Sequence, residues 1–283
     1  MRAALAVRKT GTGDPLVLLH GIATDSRIWT TVVPRLVRER AVVTVDLPGF
    51  GASDPVGEGF ELDRVAARVA RGLAANGIHD GFDLVGHSLG GGVAIALAAL
   101  MPNSVRRLML VAPAGLRPLP PSVGTLLGTE RVANLVSSGA DAFLAARRSA
   151  AALADMAWGR RLLLALTAAD GSDVPPAIAR GMLEASLSAR RTGPALATIT
   201  TTDLRPRLAA TRMPLGAIWG EADLTVPIRA LDDLMVARPD ALVVRLADTG
   251  HVPMVERPDA FVRALERLLN NETNPSAGEP MLA

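Results

Sequence analysis

Short apolar runs rich in Val, Leu and Ile recur along this chain at residues 16–19, 41–45, 82–85, 107–111, 215–219 and 242–246. Each is bounded by Gly, Pro or Asp, and none is long enough for a full helix, so they read as strands buried on both faces. Between them lie helical patterns at 27–38, 62–75, 89–101, 228–236 and 259–269, the last introduced by the helix-start signal Pro258. Strand, helix, strand in this rhythm predicts an α/β fold with a mostly parallel sheet and helices on both faces. The rhythm breaks at residues 114–205, where Pro118, Pro120 and Pro121 open an alanine- and leucine-rich helical stretch without a convincing strand. Pro194 and Pro206 lie near its end. The expected organisation is a core of residues 1–113 and 206–271, a helical insertion at 114–205 between two sheet strands, and a disordered tail at 272–283.

With 283 residues, 49% of them hydrophobic and 20% charged, the chain has material for one large core plus an insertion. It contains no cysteine, which excludes disulfide scaffolds, thiolate metal sites and a cysteine nucleophile. The net charge is only +2, and the pI of 10.2 reflects a single lysine, Lys9, and no tyrosine. Few groups titrate between the histidines and the arginines, so a nucleic-acid partner is not implied. The apolar run at 93–101 is about half of the ~20 residues a membrane span needs. Arg2, Arg8 and Lys9 leave no continuous hydrophobic leader. The expectation is a cytoplasmic protein without a membrane span, and nothing in the sequence specifies an oligomeric state.

Gly86-His87-Ser88-Leu89-Gly90 follows one of the strands directly and opens a helix. A nucleophile on a sharp strand-to-helix turn needs tiny neighbours two residues away on either side, because its backbone is crowded. The plain alternative is a tight glycine turn with an incidental serine; the strand before it favours the chemical reading. The start of the helix also offers free N–H groups where negative charge would develop. Four histidines could serve as base. His87 adjoins Ser88 and should point away from it, while His79 sits in a polar, exposed loop. His20 ends the first strong strand beside Gly21, where it either braces a loop or lines the substrate pocket. His251, in Thr249-Gly250-His251-Val252-Pro253 after the last strand, is left by position and elimination. The acid that orients it is expected at Asp223, just past the strand at 215–219, where strand ends converge on a crevice. Glu221 and Asp248 are its rivals, Asp248 also fitting a turn cap.

These pieces together resemble the α/β-hydrolase superfamily, in its lidded branch of serine esterases, perhydrolases and carbon–carbon hydrolases. The matching segments are Leu18-Leu19-His20-Gly21-Ile22, Asp46-Leu47-Pro48-Gly49-Phe50-Gly51-Ala52-Ser53, Gly86-His87-Ser88-Leu89-Gly90-Gly91, Trp219-Gly220-Glu221-Ala222-Asp223 and Gly250-His251-Val252-Pro253. The order Ser88, Asp223, His251 is that of the family's triad. The resemblance implies an oxyanion hole from the backbone N–H groups of Ile22 and Leu89, and it makes 46–53 an architectural turn. It also implies a small-molecule ester substrate, with no cofactor and no metal. Dehalogenases and epoxide hydrolases of this fold carry aspartate where this chain has Ser88. Many carbon–carbon hydrolases show asparagine before the serine and a glycine-rich oxyanion loop, where this chain has His87 and Ile22-Ala23-Thr24.

The insertion is then expected to form a lid. Its Leu126, Leu127, Leu135, Phe143, Met156, Trp158, Leu163 and Met182 either line an acyl pocket or simply hold the lid helices together. Trp158 and Phe143, with His20 and Gly21, are the candidate substrate contacts. The pairs Arg147-Arg148, Arg160-Arg161 and Arg190-Arg191 would matter only for a carboxylate-bearing substrate and otherwise read as surface partners. The reading is a serine hydrolase of esters with a moderately hydrophobic acyl group. The alternatives are a vinylogous-diketone carbon–carbon hydrolase, a perhydrolase, or a catalytically retired ligand-binding protein.

Overall fold

The computed structural model describes residues 4–118 and 152–270. Strands β1 (Val7–Thr10), β2 (Asp14–Leu19), β3 (Arg40–Val45), β4 (Phe82–His87), β5 (Val105–Val111), β6 (Leu215–Gly220) and β7 (Leu242–Leu246) form one sheet. Their order is β1-β3-β2-β4-β5-β6-β7. Neighbours are parallel throughout, except that β1 runs antiparallel to β3. The sheet is the mostly parallel one expected, with one strand the apolar runs do not reveal. In β1, Arg8, Lys9 and Thr10 are exposed, so this edge strand carries no apolar run; its ladder to β3, from Val7 opposite Val45 to Thr10 opposite Val42, defines it.

Side chains alternate between faces along a strand, and here both faces are covered. In β2, Val17 and Leu19 pack with Val65, Leu97 and Trp219, whereas Leu16 and Leu18 pack with Trp29, Leu36 and Phe261. Helices α2 (Leu62–Ala75) and α3 (Leu89–Leu100) lie on the first side. A 3-10 turn (Ser26–Trp29), the one-turn α1 (Val33–Leu36) and the last helix (Pro258–Leu269) lie on the second. The single helix expected at 27–38 is therefore two short pieces. β-branched Ile28, Thr30, Thr31, Val32 and Val33 disfavour a continuous helix, and Pro34 fits only the first turn of α1, where no N–H is needed.

Between β5 and β6 the described residues supply only helices and turns: α4 (Ala157–Leu163), α5 (Pro176–Ser188), α6 (Thr192–Thr201) and α7 (Arg205–Ala209). After β6 come α8 (Ala230–Ala237), α9 (Pro253–Glu256) and α10 (Pro258–Leu269). Leu126, Leu127, Leu135, Phe143, Arg147, Arg148 and the tail at 272–283 lie outside the described residues. No helix among the described residues is long and apolar enough to cross a membrane.

One buried charge interrupts an otherwise apolar strand. Asp83 in β4 is fully buried and accepts from Arg40 at 2.7 Å and from Arg106 and Arg107 at 3.0 Å. Removing one member of such a cluster strands the others in a poorly solvated place. Asp83→Ala is expected to destabilise the fold by about 3–5 kcal/mol in a urea titration. A loss below 1 kcal/mol would mean that the three guanidiniums are already solvated.

Candidate active site

Ser88 lies between the end of β4 and the start of α3 with φ 53° and ψ −118°. A residue with a Cβ rarely adopts this conformation and holds it only when its surroundings over-determine it. They do so here. The Ser88 N–H donates to Val111 O at 2.9 Å, and its carbonyl accepts from Gly91 and Ala114, both at 2.9 Å. A Cβ on Gly86 would collide with Gly90 O and Ala94, and one on Gly90 with the carbonyls of Leu19 and His20. The small residues flanking the serine are thus required by the approach of α3 to the sheet. The result lifts the Ser88 side chain to the carboxyl end of the parallel strands.

The loop after β2 faces this turn. A Cβ on Gly21 would stand 3.1 Å from Ser88 Cβ and 2.9 Å from His87 Nδ1, so glycine leaves room above the serine. Ile22 follows in the same loop, and Leu89 is the first residue of α3. Among the described residues neither backbone N–H has a hydrogen-bond acceptor. His20 lies beneath the same loop, held on both sides by backbone. It is fully buried, its Nε2 accepts the Leu47 N–H at 2.9 Å, and its Nδ1 lies 2.7 Å from Gly21 O. An N–H can only donate, so the proton is on Nδ1 and goes to Gly21. Both ring nitrogens hold backbone, and burial keeps the ring's pKa below its ordinary value. His20 braces the loop.

His251 and Asp223 meet at 2.7 Å through Nδ1 and Oδ2, both side chains buried. The second oxygen of Asp223, Oδ1, accepts the N–H groups of Thr225 and Val226 at 2.8 Å each. That turn leaves Oδ2 for the ring and sets the Nδ1–H tautomer, with the Nε2 lone pair on the far side. Glu221 and Asp248 are exposed and do not reach His251, and His79 is exposed as well. The serine turn and the histidine loop come together through His87, whose Nε2 is 2.8 Å from His251 O with the two rings 4.7 Å apart.

Glu256 was not among the expected site residues. Its buried carboxylate accepts from Gly250 at 2.9 Å, Val252 at 3.1 Å and Ala169 at 2.8 Å, clamping the histidine loop on both sides. Burial raises its pKa, while the same three bonds pull the other way. No capping-box pattern announces it, since Glu256 stands four residues after the N-cap Val252 of α9 and not three after a serine or threonine. The insertion joins this clamp: Thr167 O accepts the His251 N–H at 2.8 Å, and Leu166 O accepts the Thr225 hydroxyl at 2.6 Å.

Among the described residues, Arg160, Arg161, Arg190 and Arg191 are bound to protein groups. Arg160 donates to the carbonyls of Ala154, Asp155 and Ser172, and Arg161 pairs with Asp170. Arg190 reaches Ser53 O and Arg191 reaches Gly57 O, fastening the insertion to the turn after β3. Trp158 stands 60% exposed on α4, and Phe143 lies outside the described residues. A cavity of about 240 Å³ between the 3-10 turn and α5 is lined by Thr24, Ile28, Ile178 and Met182 among others, and by neither Ser88 nor His251.

Residues 14–258 match the family described as the alpha/beta hydrolase fold. A pimeloyl-(acyl-carrier protein) methyl ester esterase of Nitrosomonas europaea is 31% identical over 275 residues, covering 94% of this chain and 100% of the relative. A protein of the same name from Pseudoalteromonas atlantica is 30% identical over 277 residues, covering 93% and 96%. Among solved structures, a thermophilic esterase from Thermogutta terrifontis with malate bound superposes with a TM-score of 0.77. It is 25% identical, and the match covers 94% of this chain and 93% of that one.

Proposed function

The chain belongs to the alpha/beta hydrolase family, and from that premise we propose that it is a serine hydrolase of carboxylic esters with a moderately hydrophobic acyl group. The observation that carries the reading is the buried Asp223–His251 pair, at 2.7 Å, beside the strained turn of Ser88. In this mechanism Ser88 Oγ attacks the ester carbonyl and His251 Nε2 takes the hydroxyl proton. The carbonyl oxygen becomes an oxyanion facing the N–H groups of Ile22 and Leu89, two fixed donors of the kind worth several powers of ten in rate. Collapse breaks the bond to the alkoxy group, which leaves with the proton from His251. Water then repeats the sequence on the acyl-enzyme, releasing the acid and restoring Ser88. Asp223 keeps the imidazole in the productive tautomer and stabilises its cation.

Both curated relatives are named as esterases of a methyl ester, which favours a substrate with a small alcohol. The helices between β5 and β6 act as the lid in this reading, their apolar side chains receiving the acyl chain. Each methylene buried there should contribute ~0.8 kcal/mol, about a fourfold gain in kcat/KM. A series of p-nitrophenyl esters from acetate to octanoate should therefore rise with chain length and then level off. A flat series with a strong preference for an acidic dienone would make the chain a carbon–carbon hydrolase instead. Binding of these esters with no turnover would make it a ligand-binding protein.

A further inference from the structure

His87 takes no part in the proton transfers above, yet it is 2% exposed and lies against the base. Its Nε2 is 2.8 Å from the His251 carbonyl, and a carbonyl only accepts, so Nε2–H is the donor. Nδ1 is then a bare lone pair. It is buried without a hydrogen-bond partner among the described residues, and it lies close to the backbone of Gly21. The ring is neutral, because burial and the neighbouring His251 both hold its pKa well below the ordinary 6.5. A second proton would leave an Nδ1–H with no acceptor, beside a ring that must itself become a cation in each catalytic cycle.

Space-filling does not account for this residue. A phenylalanine or leucine would fill the same volume without leaving a buried polar atom unpaired. What His87 adds is a link. The histidine loop is also held by Asp223 and the Ala222 N–H, in the turn after β6, and by Glu256 and Thr167, in α9 and the segment between β5 and β6. Among the described residues, the His87–His251 bond is the hydrogen bond joining that loop to the serine's own turn. We propose, resting on the hydrolase reading above, that His87 is a positioning residue whose Nε2–H fixes the His251 backbone relative to Ser88.

The test compares wild type, His87→Phe, His87→Gln and His251→Ala on p-nitrophenyl butyrate. His87→Phe is expected to lower kcat about 100-fold, the scale of a displacement of about 1 Å at the reacting groups, with KM nearly unchanged. His87→Gln, whose amide can offer an N–H near the position of Nε2, should recover most of that loss. The acid limb of the kcat/KM–pH profile should keep its position in both, since the residue removed is uncharged. Equal losses in Phe and Gln accompanied by a lowered Tm would reduce His87 to packing and overturn the proposal. A displaced acid limb in the Phe variant would overturn it too, by showing an effect through charge. If His251→Ala is inactive and His87→Phe is as active as wild type, the positioning role fails and the hydrolase reading stands. If His251→Ala stays active, the hydrolase reading fails and the proposal with it.

Discussion

Ser88→Ala is expected to lower kcat on p-nitrophenyl esters by about 10⁶-fold while the protein stays folded. The substitution removes only Oγ. The Cβ remains, so the strain at φ 53° is the same, and the backbone bonds to Val111, Gly91 and Ala114 do not involve the side chain. Circular dichroism and Tm should therefore stay near wild type. What is lost is the atom that forms the acyl bond; the residual rate reflects binding and the N–H groups of Ile22 and Leu89. In the wild type a phosphonate or sulfonyl fluoride should label one residue stoichiometrically, and peptide mapping should find it at Ser88. Label on another serine, or an alanine variant that keeps its activity, would move the nucleophile elsewhere.

Asp223→Asn is expected to lose about 10⁴-fold in kcat, again without unfolding. The reason is specific to this turn. Oδ1 is held by the N–H groups of Thr225 and Val226, so an asparagine must keep its oxygen there. The reverse orientation would set an amide NH₂ against two N–H donors. The NH₂ group is thus directed at His251 Nδ1, which can only accept it, and the ring proton moves to Nε2. The base then carries a proton where it should carry a lone pair. Glu221→Gln, at an exposed position, should remain within about threefold of wild type. The opposite ranking of the two variants would transfer the acid's role to Glu221.

Much of this molecule is legible from short-range pattern. The apolar runs at β2 to β6 announce themselves because both faces of the sheet are covered there, while β7, at the edge, is half-buried and carries the exposed Arg245. α2 is legible to the residue, its buried Leu62, Val65, Ala66, Val69 and Leu73 recurring every three or four positions. The Ser88 turn is equally local, since the glycines it needs are two residues away on each side.

Other features have no local signature. β1 is an edge strand known by its partner, and the helix at 27–38 breaks where Pro34 meets a β-branched run. His20, which could have lined a pocket, has both ring nitrogens on the backbone. Asp83 reads as an interruption in a strand until three arginines from β3 and β5 surround it. The choice of Asp223 over Glu221 depends on which carboxylate the turn after β6 buries. Sequence by itself determined the elements and the chemistry available at their ends, because periodicity and glycine spacing act over a few residues. Only the tertiary structure decided which groups meet: His87 and His251 are 164 positions apart and touch although β5 and β6 separate β4 from β7, because the parallel strands all end at the same edge of the sheet.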